Sequence, residues 1–122
     1  MIYTDQAQLN DALAYWQKAL RLQDWTVVAE VVPGHITDYA QGDCSHYLKL
    51  KEACIRLADP KHRRSNSFSA WDSETTLVHE LLHLHFAPFR PDEDETPLEF
   101  IFWEQAIEQI AKAIVAINRR GS

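Results

Sequence analysis

The chain has 122 residues, with 12 Lys and Arg against 18 Asp and Glu for a formal charge of −6, and only 3 Gly and 5 Pro. A chain of this size buries roughly two-thirds of its unfolded surface, so residues 1–122 are expected to form a single domain, with any active site cut into its one core or rim. The acidic balance argues against gripping nucleic acid, which takes clustered Lys and Arg. Lys61, His62, Arg63 and Arg64 form the one basic cluster and read as a solvated loop.

No apolar run reaches transmembrane length, so no membrane partner is expected. The opening MIYTDQAQLN lacks the basic and apolar regions of a signal peptide. The expected location is the cytoplasm, with Cys44 and Cys54 as reduced thiols, too few for a disulfide framework or a four-cysteine zinc site.

From 5 to 22, Leu9, Ala12, Leu13, Trp16 and Leu20 recur at helical spacing, and Asp5 with Gln8 gives a capping-box-like start. Residues 25–32 (WTVVAEVV) read as a strand closed by Pro33 and Gly34. A second strand-like stretch runs from about 44 to 58 but changes parity: Leu48 and Leu50 share one face, Ala53, Ile55 and Leu57 the other. Side chains on a strand repeat every two residues, so a bulge or turn is needed near Lys51 and Glu52. Two short strands joined there bring the sheet to three.

Residues 61–70 are polar and read as a loop. Asp72 and Ser73 then supply N-cap side chains, Glu74 puts negative charge in the first turn, and an apolar pattern runs to Phe86 before Pro88 and Pro91 stop it. Residues 91–95 (PDEDE) read as a solvated acidic connector. A last helix opens on Thr96, Pro97 and Glu99, in the order of a capping box, and continues to about 118. Its apolar stripe is Phe100, Trp103, Ile107, Ile110, Ile114 and Ile117.

Of the 6 histidines, His79, His83 and His85 fall close together, and residues 79–83 read HELLH, an HExxH sequence inside the second helix. At about 100° per residue, His79 and His83 share one face one turn apart, the spacing that lets two imidazoles reach one metal ion. Glu80 sits about 100° round the helix, beside such an ion without ligating it. The alternative is a pair of hydrogen-bonded core histidines, which are costly to bury unless something satisfies them.

A zinc site needs a third protein ligand. His85 lies about 240° from His79, on the opposite side. The last helix offers Glu99, Glu104 and Glu108. Glu99 is accounted for by its capping box, whereas Glu104 and Glu108 fall about 40° and 80° from Phe100, inside an otherwise apolar arc. Glu104 is the expected ligand, with Glu108 one turn later accepting from a ligand histidine and orienting it. The bland alternative has both acids flanking a groove and pairing with Arg or Lys.

Carrying His79, Glu80, His83 and Glu104, the sequence resembles the gluzincins, zinc peptidases whose HExxH histidines are joined by a glutamate from a second helix. The compact versions are the minigluzincins and small phage-type putative metallopeptidases, and the order of elements from about 5 to 117 follows theirs. The resemblance implies an α+β, minimal zincin-like domain: N-terminal helix, small three-stranded and mostly antiparallel sheet, HExxH active-site helix and C-terminal glutamate helix. It also implies one Zn2+ and a peptide or protein substrate held along an edge strand, expected at 53–58. Larger members add a second domain with histidine or tyrosine groups that stabilise the oxyanion. Here His46, Tyr47 and His62 are the candidates, and nothing in the sequence selects among them.

The expected reaction is peptide-bond hydrolysis by a zinc-activated water, with Glu80 as general base returning the proton to the leaving amine. The rival is a zinc-stabilised binding or regulatory module that keeps the fold and cleaves little or nothing. A metal-free interaction domain is more distant.

Overall fold

Asp5 begins the first helix as the sequence predicts: its carboxylate accepts the Gln8 amide at 2.8 Å, and α1 (Gln6–Ala19) buries Leu9, Leu13 and Trp16. The computed structural model describes residues 3, 5–38, 40–59, 61 and 72–121. Expectations about 62–70, His62 included, lie outside the described residues. After α1 come β1 (Thr26–Val32), β2 (Gly42–Tyr47), β3 (Glu52–Ala58), α2 (Ser73–Phe86) and α3 (Pro97–Arg120), with 3-10 turns at Gly34–Thr37 and Ala87–Phe89. The described chain is α+β, three helices on a three-stranded mixed sheet. No helix among the described residues is long and apolar enough to cross a membrane.

The parity change is resolved by a turn between β2 and β3, where Lys51 takes φ 53 and Leu48 and Leu50 are exposed. Sheet order is β1-β3-β2, with β3 parallel to β1 and antiparallel to β2. Two expectations need correcting here. The sheet is evenly mixed rather than mostly antiparallel, and 53–58 is its central strand, not an edge. Both sides of β3 are already paired, so it has no backbone groups left for a peptide. Among the described strands β1 and β2 are both edges, but the Gln6 side chain already bonds the outer edge of β1, at the Ala29 carbonyl (2.6 Å) and the Val31 amide (3.3 Å), which leaves β2 the more open of the two.

One face of the sheet is covered by α1, over β1, and by α2, over β2 and β3. Ala29, Ala53, Ile55 and Leu57 are buried on that face, while Val28 and Tyr47 on the other are 60% and 70% exposed. α2 is the central helix, touching sheet, α1 and α3, and it is buried nearly all round, with Leu77, Val78 and Leu81 at 0% exposure. Asp72 caps it by accepting the Thr75 amide at 3.1 Å. Gly42 is needed where β2 approaches this helix. A Cβ there would stand 2.8 Å from Thr76 Cγ2 and 3.0 Å from the Arg56 carbonyl oxygen. Gly42→Ala is expected to lower stability by about 1–3 kcal/mol, read as a reduced midpoint in urea unfolding.

Glu74 does more than put a charge in the first turn. It is 8% exposed, accepts the Trp16 indole N–H at 3.1 Å on Oε2, and accepts Arg119 Nε at 3.1 Å on Oε1. Arg119 also pairs with Asp72 at 2.8 Å, so one guanidinium at the end of α3 ties down the start of α2. Burial opposes ionisation of Asp72, but the Thr75 amide and Arg119 outweigh it and hold the carboxyl below its usual range. A depressed folded pKa stabilises the fold above the unfolded value of about 3.9, and that contribution is lost as pH falls through the folded value. Asp72→Ala is expected to cost about 1 kcal/mol near neutrality. In urea unfolding at several pH values, the gap from wild type should close in acid.

α3 departs from its predicted stripe. Its buried residues are Ile107, Ala111 and Val115, while Ile110 and Ile117 are 37% and 69% exposed. The helix is therefore turned on its axis, bringing the Glu104 and Glu108 side towards α2. The Thr96 capping box is also absent: the Thr96 hydroxyl donates back to the Asp92 carbonyl at 2.7 Å, and Glu99 is exposed.

Candidate metal centre

His79 and His83 lie one turn apart on α2, with their Nε2 atoms 3.2 Å from each other. The rotation of α3 sets the Glu104 carboxylate against both: Oε2 is 3.4 Å from His79 Nε2 and Oε1 is 3.0 Å from His83 Nε2. An ion held at about 2.0–2.1 Å by tetrahedral donors spaces those donors about 3.3–3.4 Å apart. The 3.2 Å between the two nitrogens is close to that value, and Glu104 meets each ring with a different oxygen. Two imidazole nitrogens and a carboxylate oxygen thus converge on a point where a metal ion could sit.

Glu108 takes the other side of His79. Its Oε2 is 2.9 Å from Nδ1, the nitrogen facing away from Glu104, but approaches obliquely, leaving that buried Nδ1 without an aligned hydrogen bond. Metal-binding histidines commonly donate their second nitrogen to a carboxylate, which holds the ring in orientation, and a slight turn of this ring would complete that bond. Glu80 is 8% exposed at its side chain, with Oε1 4.0 Å from His83 Nε2. His85 points elsewhere, its Nε2 meeting the Leu20 carbonyl at 2.6 Å.

The electrostatics follow from this crowding. Burial disfavours a charged His79, yet the Glu104 and Glu108 carboxylates against its ring outweigh it and lift its pKa to about 10. The His79 and His83 rings in turn draw Glu104 down to about 2. Burial pushes Glu80 up to about 6, against the pull of both histidines. With no cation present, a proton on His79 balances the carboxylates. A divalent ion would displace it, since a ligating histidine must be neutral.

Two clefts meet at these residues. The smaller, about 340 Å³, runs between β2 and the start of α3, past Cys44, His46, Phe100 and Trp103. The larger, about 720 Å³, runs between the start of β2, the first half of α2 and the middle of α3, past Gln41, Thr75, Thr76 and Lys112. His79, Glu80 and Gly42 line both. Ala58 N donates at 2.9 Å to the carbonyl of Gln41, the residue before β2, so the β2 residues bonded to β3 are Asp43, Ser45 and Tyr47. By the alternation of an antiparallel pair, the N–H and C=O groups of Gly42, Cys44 and His46 face the unpaired edge, above the clefts.

Of the three candidates beyond the ligands, His46 lines the smaller cleft, with its ring edge-on to Trp25 at 6.3 Å, whereas Tyr47 is turned to the exposed face of the sheet. Trp103, which the sequence offers only as part of an apolar stripe, packs edge-on against His83 at 5.1 Å. Its place one residue before Glu104 is the one sequence signal for that contact. Lys112 continues the row Glu104, Glu108 at four-residue steps and was legible on the same helical wheel.

Comparison of the chain with protein-family models, with curated proteins and with solved structures finds no match in any of the three.

Proposed function

We propose that the chain is a zinc-dependent metallopeptidase of the gluzincin type, built on a minimal zincin-like domain. The observation that carries this is the convergence of His79, His83 and Glu104, with separations of 3.0–3.4 Å, and a buried carboxylate, Glu80, beside them. Zinc held by those three side chains would polarise a peptide carbonyl and acidify a water molecule. Glu108 fixes the ring of His79. Glu80 accepts a proton from the attacking water as its oxygen bonds to the carbonyl carbon, and passes that proton to the nitrogen as the C–N bond breaks. The substrate is a peptide or protein segment in extended form, added to the unpaired edge of β2 rather than to 53–58. The opposed faces of Cys44 and Cys54, which keep the thiols apart, fit the reducing cytoplasm.

The test is elemental analysis of purified protein supplied with zinc, together with incubation of the loaded protein with an unstructured polypeptide. One zinc per chain and new peptide ends are expected. Zinc without cleavage would make the domain a zinc-stabilised binding module, and no metal at all would end both readings.

A further inference from the structure

Among the described residues that line the larger cleft Lys112 is the one lysine or arginine, and none of the described residues forms an ion pair with it. The acids around it are engaged: Asp72 with Arg119 at 2.8 Å, Glu108 with His79 at 2.9 Å, and Glu80 buried at the junction of the clefts. In a chain of formal charge −6, an exposed lysine facing a cleft beside three polar side chains, Gln41, Thr75 and Thr76, favours an anionic ligand group.

The direction of β2 says which anion. β2 runs from Gly42, against Thr76 in the larger cleft, to His46 in the smaller one. A peptide pairing antiparallel to it, the slightly more stable arrangement, enters through the smaller cleft and carries its carboxyl end into the larger. A parallel peptide would bring its N-terminal ammonium towards Lys112 instead, where like charges repel. Distance agrees with direction. Four residues of helix advance about 6 Å, so Lys112 sits about 12 Å along α3 from Glu104. An extended chain covers about 3.3 Å per residue, and the flexible four-carbon stem of lysine reaches back over part of the gap.

We propose that Lys112 binds the free C-terminal carboxylate of a peptide whose scissile bond lies two to three residues upstream, so that the enzyme trims short fragments from carboxyl ends. This rests on the metallopeptidase reading above. The purely structural role for Lys112 is to support Glu108 one turn away, whose pKa it helps to lower after the larger effect of the His79 ring. That role would move zinc affinity and leave carboxylate preference untouched.

The test titrates zinc-loaded Glu80→Gln protein with two acetylated pentapeptides of one neutral sequence, a free acid and an amide. The acid is expected to bind about fivefold more tightly, Lys112→Met to remove that preference, and Lys112→Arg to keep it, with zinc affinity little changed in both. A preference for the acid that survives in Lys112→Met, equal binding of acid and amide by the Lys112 protein, or binding of neither would each overturn the proposal. Failure of the underlying reading registers separately, as absent zinc or as no cleavage of any peptide by wild type; either outcome removes this proposal too. In the active protein, mass spectrometry of a longer free-acid peptide should show dipeptide or tripeptide loss.

Discussion

Glu104→Ala should bind zinc far more weakly than wild type, by more than the about 10–100-fold loss expected for Glu108→Ala. The difference follows from which nitrogen each acid meets. Glu104 spans the two Nε2 atoms, at 3.4 and 3.0 Å, whereas Glu108 approaches only Nδ1 of His79. Removing the first deletes a donor from a set of three. Removing the second leaves the donors in place and loosens one ring. Glu104 is 35% exposed at its side chain, so its loss should spare the fold, and an unchanged urea midpoint for the metal-free variant would separate a lost ligand from a lost structure. Competition with a chelator gives the affinities. Equal retention of zinc by both variants would sink the assignment of roles.

Glu80→Gln should lose peptide cleavage by a factor of about 10²–10⁴ or more while still binding one zinc. Glutamine keeps the shape of a side chain buried to 8% exposure but cannot take up the proton. Since burial is the largest influence raising the Glu80 pKa, replacing a group that is costly to ionise by a neutral one should leave metal-free stability unchanged or higher. Persisting cleavage in this variant would place the chemistry elsewhere. Lost cleavage with lost zinc would instead make Glu80 part of the metal's support.

Local pattern carried a good deal of this structure. The side-chain caps at Asp5 and Asp72, the strand at 26–32 and the turn forced by the parity change at Lys51 all depend on neighbours within a few residues, and each is where the sequence puts it. The pairing of His79 with His83 is of the same kind, because the pitch of one helix sets it. Features open to a competing partner, near or far, were not carried that way. Thr96 looked like a cap, but the Asp92 carbonyl competes for its hydroxyl. Glu74 does put a charge in the first turn of its helix, but that Arg119 and Trp16 reach it from two other helices was not legible.

What the sequence by itself determined is the chemistry on offer: two histidines on one helical face, a glutamate beside them, and two further acids within an apolar arc of another helix. Tertiary structure alone decided how these meet. An apolar alternation such as Ala53, Ile55, Leu57 serves equally for a central or an edge strand, so only the pairing of β3 on both sides took the open edge away from 53–58 and left it to β1 and β2. In the same way, an isoleucine stripe can seat a helix over a range of rotations. Packing on α2 selected the one that buries Ile107, Ala111 and Val115, and that rotation is what carries Glu104 to the histidines.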